Sequence, residues 1–448
     1  MCATQVGRRV LLLAALVAAL TVSARALDPT PEFGSTKTEI RALRVAEGHL
    51  ATGYTLPPDE FRKAQRKARI NHWLHFGGEA WGIVQLLLLL RLGGIAWMQG
   101  VAVGVSRNRW VQGLVFVGML LLAGALLDLP LGVVGHQVAR VYGLSVQGWG
   151  SWSWDQTKGF LLGWLIGWPI VMLLFWVIRR SPTRWWLWFW GSTIPMVLLG
   201  VFLVPLVIEP MFNHFEPLAK ADPALVAQLQ RVVDKGHMGI TPDRMFLMKA
   251  SEKVTGMNAY VTGFGGSKRV VVWDTTIAKA TPDEILFIFG HEMGHYVLRH
   301  IARGIVLAIA GLFVTFGLGY FFVGWAIGRY GGRWGIAGQG EWGALAVLML
   351  AMSVYGVVSE PVESTLSRIE EHEADVFGQE VVHGIVSDPR AVGRQAFQVL
   401  GETSLDEPLP NALLEFWSYS HPSLSRRAAF AEAYDPWAAG NEPRYFKR

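Results

Sequence analysis

The chain is poor in charge. Asp, Glu, Lys and Arg make up 17% of its 448 residues, where a soluble globular protein carries about 25%, and this shortage argues against a water-soluble enzyme. There is one cysteine, Cys2, so no intramolecular disulfide can form, and no lipobox surrounds it. Neither a heptad array nor an internal repeat stands out, which excludes coiled-coil and solenoid architectures. The net charge of +5 comes without the basic and aromatic patterning of a nucleic-acid interface, so no nucleic-acid partner is expected.

What the chain has in place of charge is apolar surface: 52% hydrophobic residues and 20 Trp. A transmembrane helix needs about 20 mainly apolar residues. Runs of that kind lie at 110–134, 159–178, 185–207, 304–328 and 342–362, and a further one falls within 73–98, its ends blurred by Glu79 and Arg91 around Ile83 to Leu90. At the N-terminus, Arg8 and Arg9 precede an apolar stretch from Val10 to Val22 and then Ser23-Ala24-Arg25-Ala26. Residues 1–26 therefore read as a cleavable signal peptide, with an uncleaved first membrane helix as the alternative. The lipid bilayer is the first partner this composition implies. Trp-rich segments such as Arg184 to Trp190 read as interfacial anchors, and Glu79 and Asp128 must face a polar interior or lie at helix ends.

The remaining organisation follows. Residues 27–208 hold a polar segment and four spans, 209–303 a polar domain, 304–362 two spans, and 363–448 a second polar part of that domain. With six mature spans, the polar stretches 27–72, 209–303 and 363–448 fall on one side of the membrane, as one domain assembled from separated segments requires. The middle stretch predicts a helix from Pro223 to Lys235 and strands over Arg244 to Ala250 and Arg269 to Asp274. Gly263 to Ser267 reads as a turn, with Asn258-Ala259-Tyr260 on a strand before it. The fold class is thus mainly α, a polytopic helical bundle with a small α+β domain.

The chemistry is carried by His291-Glu292-Met293-Gly294-His295. Two histidines four apart share one helix face, where both imidazoles can hold one Zn²⁺ while Glu292 stands beside its open position. So short a motif can arise by chance, and its context decides. Thr281 suits the N-cap, Pro282 the first helical position and Glu284 a capping box, which predicts a helix from about Pro282 to Ile301. Apolar Ile285 to Phe289 bury the site, and Gly290 and Gly294 leave room for another backbone or a substrate. A catalytic zinc takes a third protein ligand and keeps a fourth position for water. Glu370-Glu371-His372-Glu373-Ala374-Asp375 offers candidates on several helical faces, among which spacing alone does not choose. If Glu371 is the ligand, Asp375 lies four residues on and can accept the free N–H of a ligating histidine; Glu370, His372 and Glu373 are then solvated or structural. His300 points away from the metal face.

Four stretches, Asn258 to Asp274, Thr281 to His300, Ser367 to Gly378 and His421-Pro422 to Arg427, together with Pro57 to Arg69, resemble the integral-membrane CAAX prenyl protease family of zinc metallopeptidases. The resemblance implies a membrane-embedded endopeptidase with one Zn²⁺ per chain, acting on a polypeptide that is either C-terminally prenylated or a membrane protein. It makes Glu371 the third ligand, because the family pattern Ser-Arg-x-x-Glu-x-x-Ala-Asp overlays Ser367, Arg368, Glu371, Ala374 and Asp375. Glu292 becomes the general base and His421 the donor to the developing oxyanion. Arg427 supports the site or the substrate, and Asn258, Ala259 and Tyr260 offer a strand edge to an extended substrate. The spans would enclose a water-filled chamber lined in part by Glu79 and Asp128. The competing reading is a membrane scaffold retaining a dead protease site.

Orientation is read from basic residues. The loops opposite the polar domain carry Arg107, Arg109, Arg179, Arg180, Arg184, Arg329 and Arg333, whereas the short loop on its own side, 135–158, carries Arg140 and Lys158. That places the catalytic face outside the cytoplasm, in agreement with the signal-like N-terminus. Eight Lys or Arg between residues 27 and 76, set against six acids, oppose it.

Overall fold

Each apolar run becomes a helix longer than the run itself. The computed structural model describes residues 35–263 and 268–447, so the reading of residues 1–26 and most of the Gly263 to Ser267 turn lie outside the described residues. A polar helix α1, Lys37–Gly48, is followed by α2, Pro58–Arg91, a short apolar α3, Gly94–Val105, then α4, Arg109–Val141, α5, Trp149–Arg180, and α6, Trp185–Leu203, which continues to Phe212. Among the described residues six helices are long and apolar enough to cross a membrane: α2, α4, α5, α6 and two later ones, His300–Trp334 and Ala344–Val381. Helices of 32 to 38 residues rise about 50 Å, well beyond a hydrocarbon core of about 30 Å. Their ends therefore reach into the polar domain.

The span expected within 73–98 is the C-terminal part of α2. It stops at Arg91, and Gly93 takes a left-handed conformation at φ 79°, which glycine adopts without steric cost. The chain then turns into α3, 12 residues long and about 18 Å, too short to cross.

The main helices of the polar domain before the later spans are α7, Pro223–Lys235, and α8, Pro282–Val297. The spans that follow are α9, His300–Trp334, and α10, Ala344–Val381, and after them come α11, Pro389–Ser404, a short helix over Ala412–Ser418, and α12, Leu424–Ala433. The six spans pack in a closed ring in the order α2, α4, α5, α6, α9, α10 and back to α2. Only 11% to 33% of each span's most apolar window is buried within the protein, as a wall one helix thick requires. Indole N–H groups tie neighbours together: Trp81 donates to Leu127 O at 3.0 Å, Trp164 to Leu114 O at 3.0 Å and Trp190 to Ile309 O at 2.8 Å. The segment from Arg184 to Trp190 is thus not a simple interfacial anchor, since Trp185 is 1% exposed and donates to Gln339. Asp128 accepts from Gln85 of α2, and Glu79 sits 4.0 Å from His75, which pairs with Glu360 of α10 at 2.7 Å. Both carboxylates face neighbouring polar side chains inside spans rather than helix ends.

The polar domain carries a four-stranded sheet of β1, Phe215–Pro217, β2, Met245–Met248, β3, Ala259–Thr262, and β4, Arg269–Trp273, in the order β1-β2-β4-β3. β2 and β4 are parallel, with Met245 opposite Val270, and β3 runs antiparallel to β4 with Ala259 opposite Val272. The α7 bounds match those read from the sequence, while β1 is an addition. One core unites Leu229 and Val232 of α7, Met245 and Val270 of the sheet, Phe287 and Phe289 of α8, Phe377 of α10 and Phe397 of α11. α10 runs unbroken through residues 362 and 363, where the sequence suggested a domain boundary, with Pro361 inside it.

Candidate metal centre

The histidines are set by a well-capped helix. Thr281 Oγ1 accepts from the Glu284 N–H at 3.4 Å and Glu284 Oε2 accepts from the Thr281 N–H at 2.8 Å, the reciprocal pair of a capping box. α8 ends at Val297 rather than Ile301, because Arg299 adopts φ 62° and breaks the hydrogen-bond ladder before α9 begins at His300.

Small residues explain how α10 comes to lie against α8. A Cβ on Gly290 would stand 2.8 Å from Val381 Cγ1, and one on Gly378 only 2.8 Å from the His291 backbone nitrogen. A Cβ on Gly294 would meet the Ala374 Cα at 3.2 Å. The room foreseen at Gly290 and Gly294 is therefore filled by the α10 backbone, and that close approach carries Glu371 to the histidine face.

His291 Nε2 and His295 Nε2 are 3.1 Å apart. Glu371 Oε2 lies 3.4 Å from His291 Nε2, and Glu371 Oε1 lies 3.2 Å from His295 Nε2. Four donors at about 2.0–2.1 Å from a tetrahedral Zn²⁺ are separated by about 3.3 Å, so the two imidazole nitrogens and the Glu371 carboxylate, which offers one oxygen to each, already stand at the spacing of donors around one ion. Glu371 Oε2 is buried and makes no hydrogen bond, with the Arg427 guanidinium 3.3 Å away, so it keeps a lone pair for a bound cation. The donor set fits a metal ion.

Asp375 Oδ1 stands 2.8 Å from His291 Nδ1, as the four-residue spacing from Glu371 predicts. Burial alone would lower the His291 imidazole, but its bonds to Asp375 and Glu371 outweigh that and carry it up to about 10. The pocket is built to hold positive charge. Arg427 lies behind it: Nε donates to Asp375 Oδ2 at 2.9 Å and a terminal nitrogen to Asp375 Oδ1 at 2.7 Å, with Glu371 Oε2 at 3.3 Å. At 8% exposed, its guanidinium buttresses Asp375.

Glu292 is half-buried beside His291, and burial holds its carboxyl above the ordinary carboxylate range against the pull of His291 and His295. His421 comes to the opposite rim, with Nε2 3.2 Å from Glu371 Oε1 and a side chain 58% exposed. Its loop is held by Arg368, which is buried and donates to the Glu415 and Tyr419 carbonyls at 3.0 and 2.6 Å. Asn258, Ala259 and Tyr260 lie at and in β3, an outer strand of the sheet that packs against α8. The Asn258 side chain is exposed, while its carbonyl accepts from Trp273 N–H at 3.1 Å.

Sequence reasoning missed one contact. His300 is 3% exposed, with Nδ1 3.0 Å from His295 Nδ1 and Nε2 3.1 Å from Glu373 Oε2. The break at Arg299 redirects it, so it does not point away from the site.

Comparison with known proteins agrees with this picture. A family model described as CAAX prenyl protease N-terminal, five membrane helices, matches residues 50–214, and one for peptidase family M48 matches residues 219–435. The chain is 32% identical over 381 residues to the uncharacterized metalloprotease YhfN of Bacillus subtilis, covering 84% of this chain and 86% of that one. It is 32% identical over 210 residues to CAAX prenyl protease 1 of Saccharomyces cerevisiae, covering 46% and 45% of the two chains. The crystal structure of S. mikatae Ste24p shares the fold, with a TM-score of 0.72 and 22% identity over 90% of this chain and 100% of that one.

Proposed function

The chain belongs to the CAAX prenyl protease family of M48 metallopeptidases and is a multi-pass integral-membrane metalloprotease; from that membership and the site geometry we propose a zinc-dependent endopeptidase with Glu292 as general base. The observation that carries the proposal is the convergence of His291, His295 and Glu371, their donor atoms spaced as around one tetrahedral ion, with Glu371 Oε2 making no hydrogen bond. Zn²⁺ bound there, one per chain, would polarise the scissile carbonyl and make water a stronger acid.

Glu292, its proton affinity raised by burial, takes the proton of the attacking water and passes it to the leaving amine. His421, held at the rim by Ser420 on Nδ1 at 2.8 Å, turns Nε2 from Glu371 to donate to the carbonyl oxygen as negative charge develops there. Asp375 fixes the His291 tautomer, and Arg427 holds Asp375 in place. The outer edge of β3 leaves alternate backbone groups unpaired, and an extended polypeptide adds there beside Asn258, Ala259 and Tyr260. A chain cleaved at this site must enter the ring of spans or lie against its polar end.

The seven arginines on the loops opposite the polar domain, Arg107, Arg109, Arg179, Arg180, Arg184, Arg329 and Arg333, support a catalytic face outside the cytoplasm. With that orientation, membrane or exported polypeptides are favoured as substrates over prenylated cytosolic ones. A reporter active only in the cytoplasm, fused after Arg448, should stay dark; a strong signal reverses the orientation. For the chemistry, purified protein should hold about one zinc per chain. Glu292→Gln should keep that zinc while losing about 10²- to 10⁴-fold in peptidase rate; undiminished activity refutes the mechanism. Polypeptides retained by the Glu292→Gln variant then report the substrate class, prenylated peptides pointing to CAAX processing and misassembled membrane proteins to quality control.

A further inference from the structure

Each candidate histidine ligand has a carboxylate behind it, but by different routes. Asp375 touches His291 directly, at 2.8 Å. His295 reaches its carboxylate through a second imidazole, with His295 Nδ1 3.0 Å from His300 Nδ1 and His300 Nε2 3.1 Å from Glu373 Oε2. The protons in this chain are determined by its ends. His295 aims Nε2 at the ligand triangle, so Nδ1 carries the hydrogen and must donate it. A neutral imidazole has one donor and one acceptor. His300 Nδ1 therefore accepts, and His300 Nε2–H donates to the Glu373 carboxylate.

Glu373 is itself held from two sides. Arg303 donates to Oε2 at 3.0 Å and Arg444 to Oε1 at 2.9 Å. Arg444 belongs to a strap whose backbone is bolted to the fully buried Glu380: the Arg444 N–H donates to Glu380 Oε1 at 2.6 Å, and the Tyr445 and Phe446 N–H groups donate to Oε2 at 2.7 and 3.0 Å. The other arm of Arg444 reaches Glu39 of α1 at 3.0 Å. Nothing in proteolysis as such requires this arrangement, and a buried imidazole set edge-on against a ligand histidine with both nitrogens engaged is an expensive way to fill space.

We propose that His300 and Glu373 are positioning residues that orient His295 and fix its tautomer, and that the strap from Arg444 to Phe446 holds Glu373 in register. The inference rests on His295 being a zinc ligand. Outer partners of this kind are worth about 10- to 100-fold in metal affinity.

The test uses the full-length protein in detergent, with zinc affinity read by chelator competition and site geometry by the visible spectrum of the cobalt-loaded form. His300→Phe should weaken zinc binding about 10- to 100-fold and shift the cobalt bands, while His300→Asn, which restores an acceptor near the Nδ1 position, should recover most of the affinity. Glu373→Ala should weaken binding less, and the double variant should bind no worse than His300→Phe, because Glu373 acts through His300. Zinc affinity of His300→Phe within about twofold of the parent, with unchanged cobalt bands, overturns the proposal, as do losses that multiply in the double variant. If His300→Phe does not fold, Glu373→Ala and Arg444→Ala decide: unchanged affinity in both overturns it. Failure of the parent itself to bind zinc would instead sink the metal-centre reading.

Discussion

Asp375→Ala removes a carboxylate that serves His291 and Arg427 at once, and its two consequences can be separated. Asp375 and Arg427 have side chains 5% and 9% exposed, so the substitution leaves a buried guanidinium without its bidentate acceptor. Breaking a buried pair from one side costs about 3–5 kcal/mol. Glu371 Oε2 remains 3.3 Å from Arg427 and covers part of the charge, which places the loss near about 3 kcal/mol, or a fall of about 3 °C in the melting temperature of a chain this long in its metal-free form. The same substitution leaves His291 Nδ1–H without its acceptor and turns Arg427 toward Glu371, in competition with the ion, so zinc affinity should fall about 10- to 100-fold. The double variant Asp375→Ala/Arg427→Met also removes the stranded charge. It should regain most of the melting temperature but little of the zinc affinity, because the His291 acceptor is still missing. Differential scanning fluorimetry of the metal-free protein and chelator competition read the two effects. An Asp375→Ala protein that melts with its parent, or a double variant that recovers zinc binding, would refute the division of labour.

Three further outcomes follow from single contacts. His421→Ala should leave zinc content and melting temperature unchanged, since its side chain is 58% exposed, yet lower kcat about 10²- to 10³-fold; an unchanged kcat removes it from the mechanism. Glu39 is fully buried, and although burial alone would raise its carboxyl, hydrogen bonds from His372 and the Thr36 N–H, with Arg444 beside it, hold it below the ordinary 4.5. The unfolded chain then binds that proton more tightly, so the stability Glu39 contributes is present above pH 4.5 and lost as pH falls through its lower folded value. Acid melting curves should be flatter for Glu39→Gln. Gly378→Ala places a Cβ 2.8 Å from the His291 nitrogen and should cost about 1–3 kcal/mol together with weakened zinc binding, whereas normal zinc affinity would mean that α8 and α10 can part without moving the ligands.

What could be read in the linear sequence was whatever local chemistry determines. The spans were legible from their length and hydropathy, α7 from its Pro223 start and apolar stripe, and the start of α8 from Thr281, Pro282 and Glu284. His291 and His295 belong to the same class, because a four-residue spacing on a helix is a statement about one face. Glu371 is different. Its helix offers several faces over Glu370 to Asp375, and the one that meets the histidines is selected by Gly290, Gly294, Gly378 and Ala374 allowing two backbones to touch, a condition no single segment displays. Only the family resemblance put that residue in the ligand set.

His300 shows where local reasoning gave the wrong sign. In an unbroken helix, five residues at about 100° each would turn His300 about 140° away from His295, which is the geometry that pointed it away from the metal face. The structure instead breaks the helix at Arg299, in a left-handed conformation that neither a glycine nor a proline announces and that L residues adopt at a cost. The compensation comes from outside the segment: Arg303 reaches back to the Leu298 carbonyl at 3.3 Å and to Glu373 at 3.0 Å, and Glu373 binds His300 in turn. The strain at Arg299 is thus tied to the contact that the break creates. Relaxing Arg299 into a continuous helix would withdraw His300 from His295, so the backbone outlier and the buried imidazole are two ends of one structural requirement at the metal centre.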